Sequence, residues 1–153
     1  MAMAAPPATR AERIADAASW FAAISKANQT KVFNLDSAES ALMAISTDRS
    51  FYANAIAALA AIPTGKVQQH LEQLAVGERL DPAIRELAAR ELTAHIQRHG
   101  LLLHSSQVAE LESSWRSAQS PELSTALAAA IGSLKPNAKR VGDRLQRATA
   151  PNP

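Results

Sequence analysis

The sequence DPAIRELAARELTAHI, residues 81–96, gives the clearest indication of the fold. An Asp directly before a Pro is typical of a helix start, because the carboxylate caps free N–H groups and proline is tolerated in the first turn. The apolar residues that follow recur every four positions, which places Ile84, Ala88 and Leu92 on one face of a helix. Gly100 provides a stop. The stretch therefore predicts an amphipathic helix that buries one face.

The same face occurs two further times along the chain. Helix starts are predicted at Asp48, Asp81 and Ser120, and the third, seventh and eleventh residues after each start are apolar: Phe51, Ala55 and Leu59; Ile84, Ala88 and Leu92; Leu123, Leu127 and Ile131. Each long helix is followed by a turn and a second amphipathic helix, which predicts a helical hairpin of roughly 35 to 40 residues as the unit. A lone hairpin cannot bury both apolar faces, so the units are expected to stack.

The other apolar residues also follow helical spacing. Further helices are predicted at residues 9–26, after an Asp36–Glu39 capping box, at residues 67–75, after Ser105 or Ser106, and around Val141 and Leu145. We expect one domain over residues 9–147, in which residues 9–35 form an N-terminal cap or a partial repeat. Residues 1–8 and 148–153 are expected to be disordered.

Composition narrows the class of protein. The chain has 153 residues, of which 34 are Ala and only six are Phe, Trp or Tyr, and this balance favours closely packed helices. There is no Cys, which excludes disulfides, thiolate metal ligands and cysteine nucleophiles. Neither a secretory signal nor an apolar run of roughly 20 residues is present, so we expect a cytoplasmic protein.

The chain resembles a known superfamily at two neighbouring segments. Residues 62–75, IPTGKVQQHLEQLA, and residues 81–96 resemble the paired helices of HEAT repeats, where an Asp-Pro start precedes an Arg and an Ala-Ala pair: Asp81, Pro82, Arg85, Ala88 and Ala89. The resemblance is to bacterial HEAT-like proteins without an assigned enzymatic role and covers residues 36–147. Neither Asp48 nor Ser120 has an Arg four or five residues later, so the assignment of those two repeats depends on the periodicity of their apolar residues. The resemblance implies an all-α, right-handed α-α superhelix, a short solenoid of helical hairpins.

The same resemblance implies a non-enzymatic scaffold that binds another protein on a concave face and needs no cofactor. Surface residues of successive repeats are candidates for that contact: Asn54, Glu86, Arg90 and Thr125. Trp20 and Tyr52 are candidate aromatic anchors, because they are offset from the apolar faces of their helices. Three other large side chains, Phe21, Phe51 and Trp115, fall on apolar faces and are expected in the core.

A histidine-rich segment raises a second possibility. Glu91, His95 and His99 lie at four-residue spacing, and two His one turn apart on a helix can share a Zn²⁺ ion, with His104 as a further ligand. The competing interpretation is an ordinary solvated helix edge. Iron-dependent hydroxylases built on HEAT repeats carry His-Glu dipeptides, and no His of this chain is followed by Glu. We therefore expect no metal site, and a metal-dependent enzyme is the weaker alternative.

The positive charge of the chain is concentrated near its C-terminus. Between Lys135 and Arg147 there are five basic residues and one acidic residue, whereas the rest of the chain is slightly acidic. Four of the basic residues could contact nucleic-acid phosphates: Lys139, Arg140, Arg144 and Arg147. Nucleic-acid binders usually spread basic residues along a groove and add base contacts. A solvated end cap is therefore the expected role, and a nucleic-acid contact module is the alternative.

Overall fold

A computed structural model describes residues 9–26 and 36–134, and these residues form helices without any strand. The elements are α1 (Arg10–Lys26), a 3-10 turn (Asp36–Ala38), α2 (Glu39–Ile45), α3 (Tyr52–Leu59), α4 (Gly65–Val76), α5 (Pro82–His99), α6 (Ser105–Ser117) and α7 (Pro121–Leu134). The all-α class is thus confirmed for this part of the chain. None of its helices is long and apolar enough to cross a membrane. The helix expected around Val141 and Leu145, like the two expected disordered ends, lies outside the described residues.

The two Asp-Pro and Ser-Pro starts form as predicted. Asp81 Oδ1 accepts a hydrogen bond from the Ala83 N–H at 3.0 Å, and Ser120 Oγ accepts one from the Leu123 N–H at 3.3 Å. These bonds satisfy N–H groups that have no partner within the first turn of a helix. Both starts are therefore fixed by local chemistry that is visible in the sequence.

Three other starts differ from the prediction. Asp48 does not cap α3: the N-cap of that helix is Phe51, and Asp48 Oδ1 accepts from the Ser50 N–H in the turn before it. The N-cap of α2 is Ala38, and Asp36 lies in the preceding 3-10 turn.

The N-cap of α6 is His104 and not Ser105 or Ser106, and its N–H donates to Gln107 Oε1 at 3.1 Å. The Gln107 side chain, one turn into the helix, thus holds the backbone of the N-cap residue. The N-cap of α6 therefore lies nearer the N-terminus than either predicted serine.

The helices contact one another in an alternating order. One series of neighbours consists of the odd-numbered helices, in which α3 contacts α1 and α5, and α5 contacts α7. In the even-numbered series α4 contacts α6, and the two series are joined by the pairs α2 with α3, α4 with α5, and α6 with α7. The resemblance of residues 62–75 and 81–96 to a helix pair agrees with the α4–α5 contact.

The expectation that each long helix pairs with the helix after it is wrong. It would pair α3 with α4 and α5 with α6, whereas the principal partners of α4 are α5 and α6. Spacing within one helix predicts an apolar face but does not say which neighbour covers that face. The predicted hairpins therefore differ from the observed helix pairs by one helix along the chain.

The repeated apolar face belongs to the core at eight of its nine positions. Phe51 is the exception: it is half-buried but is not part of the core cluster, contrary to the prediction. All nine residues of this face are at least half-buried, and only Phe51 and Ile131 retain appreciable exposure. Several alanines lie in this core, and Ala55, Ala88 and Ala89 are completely buried. Small side chains let helix backbones approach closely, which is how a chain with few aromatic residues reaches a dense interior.

Polar side chains join neighbouring helices at the edges of this core. Arg85, the Arg of the HEAT-like segment, donates from Nε to the Ala75 carbonyl and from Nη2 to Ser114 Oγ, each at 3.1 Å. It thereby connects α5 with the last turn of α4 and with α6. At α2, the Ser46 hydroxyl lies 2.8 Å from His70 Nε2 of α4. The even-numbered helices are thus held by specific bonds as well as by apolar contact.

Gly100 ends α5 with a backbone that other residues rarely adopt. Its φ of 85° and ψ of 176° fall in a region that is open almost only to glycine. A Cβ atom there would meet no neighbour within 4 Å, so the expected cost of Gly100→Ala comes from the backbone alone. We expect this variant to lose roughly 1 to 3 kcal/mol of unfolding free energy in urea titrations.

Gly132→Ala is the matched control. Gly132 lies within α7 and a Cβ atom there also meets nothing within 4 Å. Because alanine favours the helix, this variant should gain about 0.5 kcal/mol. Equal effects of the two substitutions would show that the Gly100 backbone carries no special constraint.

Candidate functional site

The six candidate protein-binding residues all lie on odd-numbered helices. Trp20 is on α1, Tyr52 and Asn54 are on α3, Glu86 and Arg90 are on α5, and Thr125 is on α7. Four of them are exposed: Trp20, Asn54, Arg90 and Thr125. We call the exposed residues of α1, α3, α5 and α7 the odd-helix surface. Tyr52 is half-buried and packs against the core, so it contributes less to this surface than expected.

A shallow, open groove runs between α5 and α7 on the odd-helix surface. Its lining consists of Arg90, Pro121, Glu122, Thr125, Ala126 and Ala129. The Arg90 guanidinium forms an ion pair with Glu86 of its own helix, and the Thr125 hydroxyl donates to the Pro121 carbonyl at 2.8 Å. The polar groups of Arg90 and Thr125 thus already have partners within their own helices. The groove offers shape and small apolar side chains, which suits a protein surface better than an enclosed small molecule.

The large aromatic side chains are distributed differently from the expectation. Phe21 packs against the core as predicted, but Trp115 is 41% exposed and Trp20 is 64% exposed. Trp115 continues the apolar stripe of Leu111, yet it lies in the last turn of α6, where the described residues leave part of the ring uncovered. The expected core position of Trp115 is therefore wrong, and the buried residues of α6 are Leu111 and Ser114.

His95 is completely buried, so its expected position on a partly solvated helix edge is wrong. Its Nδ1 lies 2.9 Å from Gln68 Nε2, and its Nε2 lies 2.9 Å from the Ile62 carbonyl oxygen. An amide N–H donates and a carbonyl accepts, so the pair of contacts requires a neutral ring that carries its proton on Nε2. Burial, the largest effect, lowers the pKa of His95 and favours this neutral state.

Gln68 is the centre of the same network and was not identified from the sequence. Besides His95, its Nε2 donates to the Gly100 carbonyl at 3.0 Å, and its Oε1 accepts from the Leu102 N–H at 2.6 Å. The side chain is completely buried and is fully used. The available signal was a polar residue next to Val67 on the apolar face of α4, where a buried amide is expected to find several partners.

This geometry argues for a structural and not a metal-binding role. His99 stacks edge-on against His95 with ring centroids 4.7 Å apart, and His104 is exposed at the start of α6. No three His, Asp or Glu side chains among residues 9–26 and 36–134 are grouped closely enough to hold a metal ion. Metal binding by His95 would require it to give up its bond to Gln68 or to Ile62. Glu91 is half-buried on the same helix.

A second buried polar residue, Glu72, is less well satisfied. Its side chain is 1% exposed, and within the described part of the chain its Oε1 has no hydrogen-bond partner. Burial is the main cause that raises the pKa of Glu72 to about 7; nearby Glu110 of α6 raises it further, and Gln107 opposes them. The sequence shows Glu72 only as a charged residue between Leu71 and Leu74, without any indication that it is buried.

The basic residues of the nucleic-acid alternative, Lys139, Arg140, Arg144 and Arg147, lie outside the described residues. Comparison of the chain with protein families, with curated proteins and with solved structures gives no significant match. Function must therefore be argued from the geometry of the helices themselves.

Replacing Gln68 tests the buried network. Gln68→Leu leaves three groups without their partner: His95 Nδ1, the Gly100 carbonyl and the Leu102 N–H. The His95 nitrogen is buried, so its lost bond costs about 1 to 3 kcal/mol, whereas water can reach the exposed residues Gly100 and Leu102 and lowers the cost there. We expect a total loss of roughly 2 kcal/mol or more of unfolding free energy, measured by urea titration. Gln73→Leu, the same change at an exposed site of α4, should alter stability by no more than about 0.5 kcal/mol.

Stability should depend on pH through Glu72. The folded-state pKa of about 7 lies above the ordinary glutamate value of 4.5, so folding favours the protonated form. The stabilisation from a neutral Glu72 is full below the unfolded pKa and is lost as pH rises toward 7. Above that range Glu72→Gln, which resembles the protonated side chain, should be more stable than the parent by about 3 kcal/mol.

Below about pH 4.5 the two proteins should differ little. Glu78→Gln, the same substitution at an exposed carboxylate, provides the control. A constant stability difference between Glu72→Gln and the parent over the whole pH range would contradict this prediction.

Proposed function

We propose that the chain is a short, right-handed α-solenoid of the HEAT type. On this proposal it is a non-enzymatic scaffold that binds another protein through the odd-helix surface. The observation that carries the proposal is the alternating order of helix contacts. Helices two apart in sequence are neighbours from α1 through α3 and α5 to α7, and again between α4 and α6, and the two series are cross-paired, which is the contact pattern that stacked helical hairpins produce.

The short separation along the sequence between contacting helices favours an open stack over a closed bundle. No major contact joins α1 or α2 to α6 or α7 among the described residues. In a closed bundle the first and last helices would pack against one another around a shared axis. Here each helix has its main partners within two positions along the chain, so one side of the stack can present an extended surface.

The chemistry of the odd-helix surface supports recognition by shape. α3 contains no charged residue, and α7 contains only Glu122. The one cation in the α5–α7 groove, Arg90, is already paired with Glu86. Exposed Trp20 on α1 adds a large amphipathic side chain of the type that often anchors protein interfaces. A protein partner suits such a surface better than a polyanion does.

The proposal is tested by capture of partners from a native lysate with surface variants. One variant combines Asn54→Arg, Arg90→Glu and Thr125→Arg on the odd-helix surface. The control combines Gln73→Arg and Ser113→Arg on exposed sites of α4 and α6. Circular dichroism should show equal helicity for both. Mass spectrometry should find a protein that the parent and the control retain and that the odd-helix variant loses at least roughly tenfold, equivalent to about 1.4 kcal/mol.

Two results would contradict the proposal. A partner retained equally by both variants would bind elsewhere on the molecule. Salt-sensitive recovery of nucleic acid, abolished by charge reversal of Lys139, Arg140, Arg144 and Arg147, would favour the alternative function.

A further inference from the structure

Glu72 lies at the contact between two helices of the even-numbered series. It is on α4, one turn after Gln68 and one turn before Ala75, whose carbonyl accepts the bond from Arg85. The α6 residues that act on it are Gln107 and Glu110. A carboxylate that is 1% exposed therefore lies at an interface whose other side also carries a carboxylate. Charge on both groups at once is unfavourable there, because water cannot screen the buried one.

The other ionisable groups near α4 do not compensate a charged Glu72. On α5, His95 is neutral with both ring nitrogens engaged, and Arg85 donates to Ala75 and Ser114. On α4 itself, Lys66 is paired with Glu39 of α2 at the N-terminal end of the helix, and the pKa of half-buried His70 is lowered by burial. Oε1 of Glu72 has no hydrogen-bond partner among the described residues.

We propose that the α4–α6 contact is a pH-sensitive seam, closed while Glu72 carries a proton and loosened when that proton is lost. Ionisation places a charge in the interface opposite Glu110, and the least costly response is separation of α6 from α4 so that water reaches the carboxylate. The pKa of Glu72, raised to about 7, puts this change near neutral pH. The signal to which the α4–α6 contact responds is the proton on Glu72.

The opening should remain confined to α6. The α7 helix packs extensively against α5, and that contact contains none of the groups that act on Glu72. Arg85 still links α5 to Ser114 near the C-terminal end of α6. We therefore expect the N-terminal half of α6, which carries Gln107 and Glu110, to move most, against the contact that α6 also makes with α7. This inference concerns the isolated chain and does not depend on the proposed protein partner.

Hydrogen–deuterium exchange of the full chain tests the seam, with no partner present. Exchange is compared at about pH 5.5 and about pH 8.5 after correction for the intrinsic rates, using the parent, Glu72→Gln and the exposed control Glu78→Gln. In the parent and the control, protection of the α6 amides should fall roughly tenfold or more at the higher pH, while α5 keeps its protection. In Glu72→Gln the protection of α6 should stay constant.

A second test uses NMR of the parent chain, so it does not require Glu72→Gln to fold. Carboxyl NMR of the parent should show Glu72 titrating near pH 7, and Glu110→Gln, at an exposed position, should lower that midpoint by removing the like charge. Protection of α6 that is independent of pH would overturn the proposal. A Glu72 midpoint near its ordinary value would overturn it as well, and so would a midpoint that ignores Glu110→Gln.

Discussion

In the middle of the described chain, one glutamine side chain of α4 bonds to three groups that lie 27, 32 and 34 residues further along the sequence. Gln68 of α4 donates to His95 of α5 and to the Gly100 carbonyl, and it accepts from the Leu102 N–H in the connection to α6. His95 in turn reaches Ile62, before α4. Gln68 and His95 are completely buried, so the bond between them avoids a desolvation penalty, whereas the Gly100 carbonyl and the Leu102 N–H belong to exposed residues at the edge of the network.

This network explains how an alanine-rich core acquires a defined arrangement. Contacts between small apolar side chains are nearly interchangeable, so they favour close packing without selecting one helix register. A buried amide with directional partners permits only one position of α4 relative to α5 and to the turn at Gly100. The apolar face thus supplies most of the driving force, and the polar residues select the geometry.

Local features of this fold could be predicted from the sequence, and long-range ones could not. The caps at Asp81 and Ser120 and the repeated apolar face depend on residues within three or four positions of one another, so spacing alone reveals them. The partner of each face depends on the whole chain, which is why the predicted hairpins were displaced by one helix. For the same reason a four-residue spacing could not tell whether His95 faces water or the interior.

Glu72 and Gln68 lie one turn apart on α4, and these two buried polar side chains differ in how many hydrogen-bond partners they have. Gln68 has a partner for its amide nitrogen and its oxygen, whereas Oε1 of Glu72 has none among the described residues. The six candidate binding residues all lie on odd-numbered helices, but Tyr52 packs against the core, and the groove beside Arg90 requires α7 to lie next to α5. That proximity has no signature in either helix alone.

Both tryptophans of the chain are among the exposed large apolar side chains of the residues that the structure describes. In most proteins the indole emission reports the interior and shifts to longer wavelength when the fold is lost. Here Trp20 and Trp115 are already in contact with water, so denaturation should change the emission colour little. Coverage of either ring by another molecule should move it toward the blue, which makes the chain's own fluorescence a sensor of docking at α1 and α6.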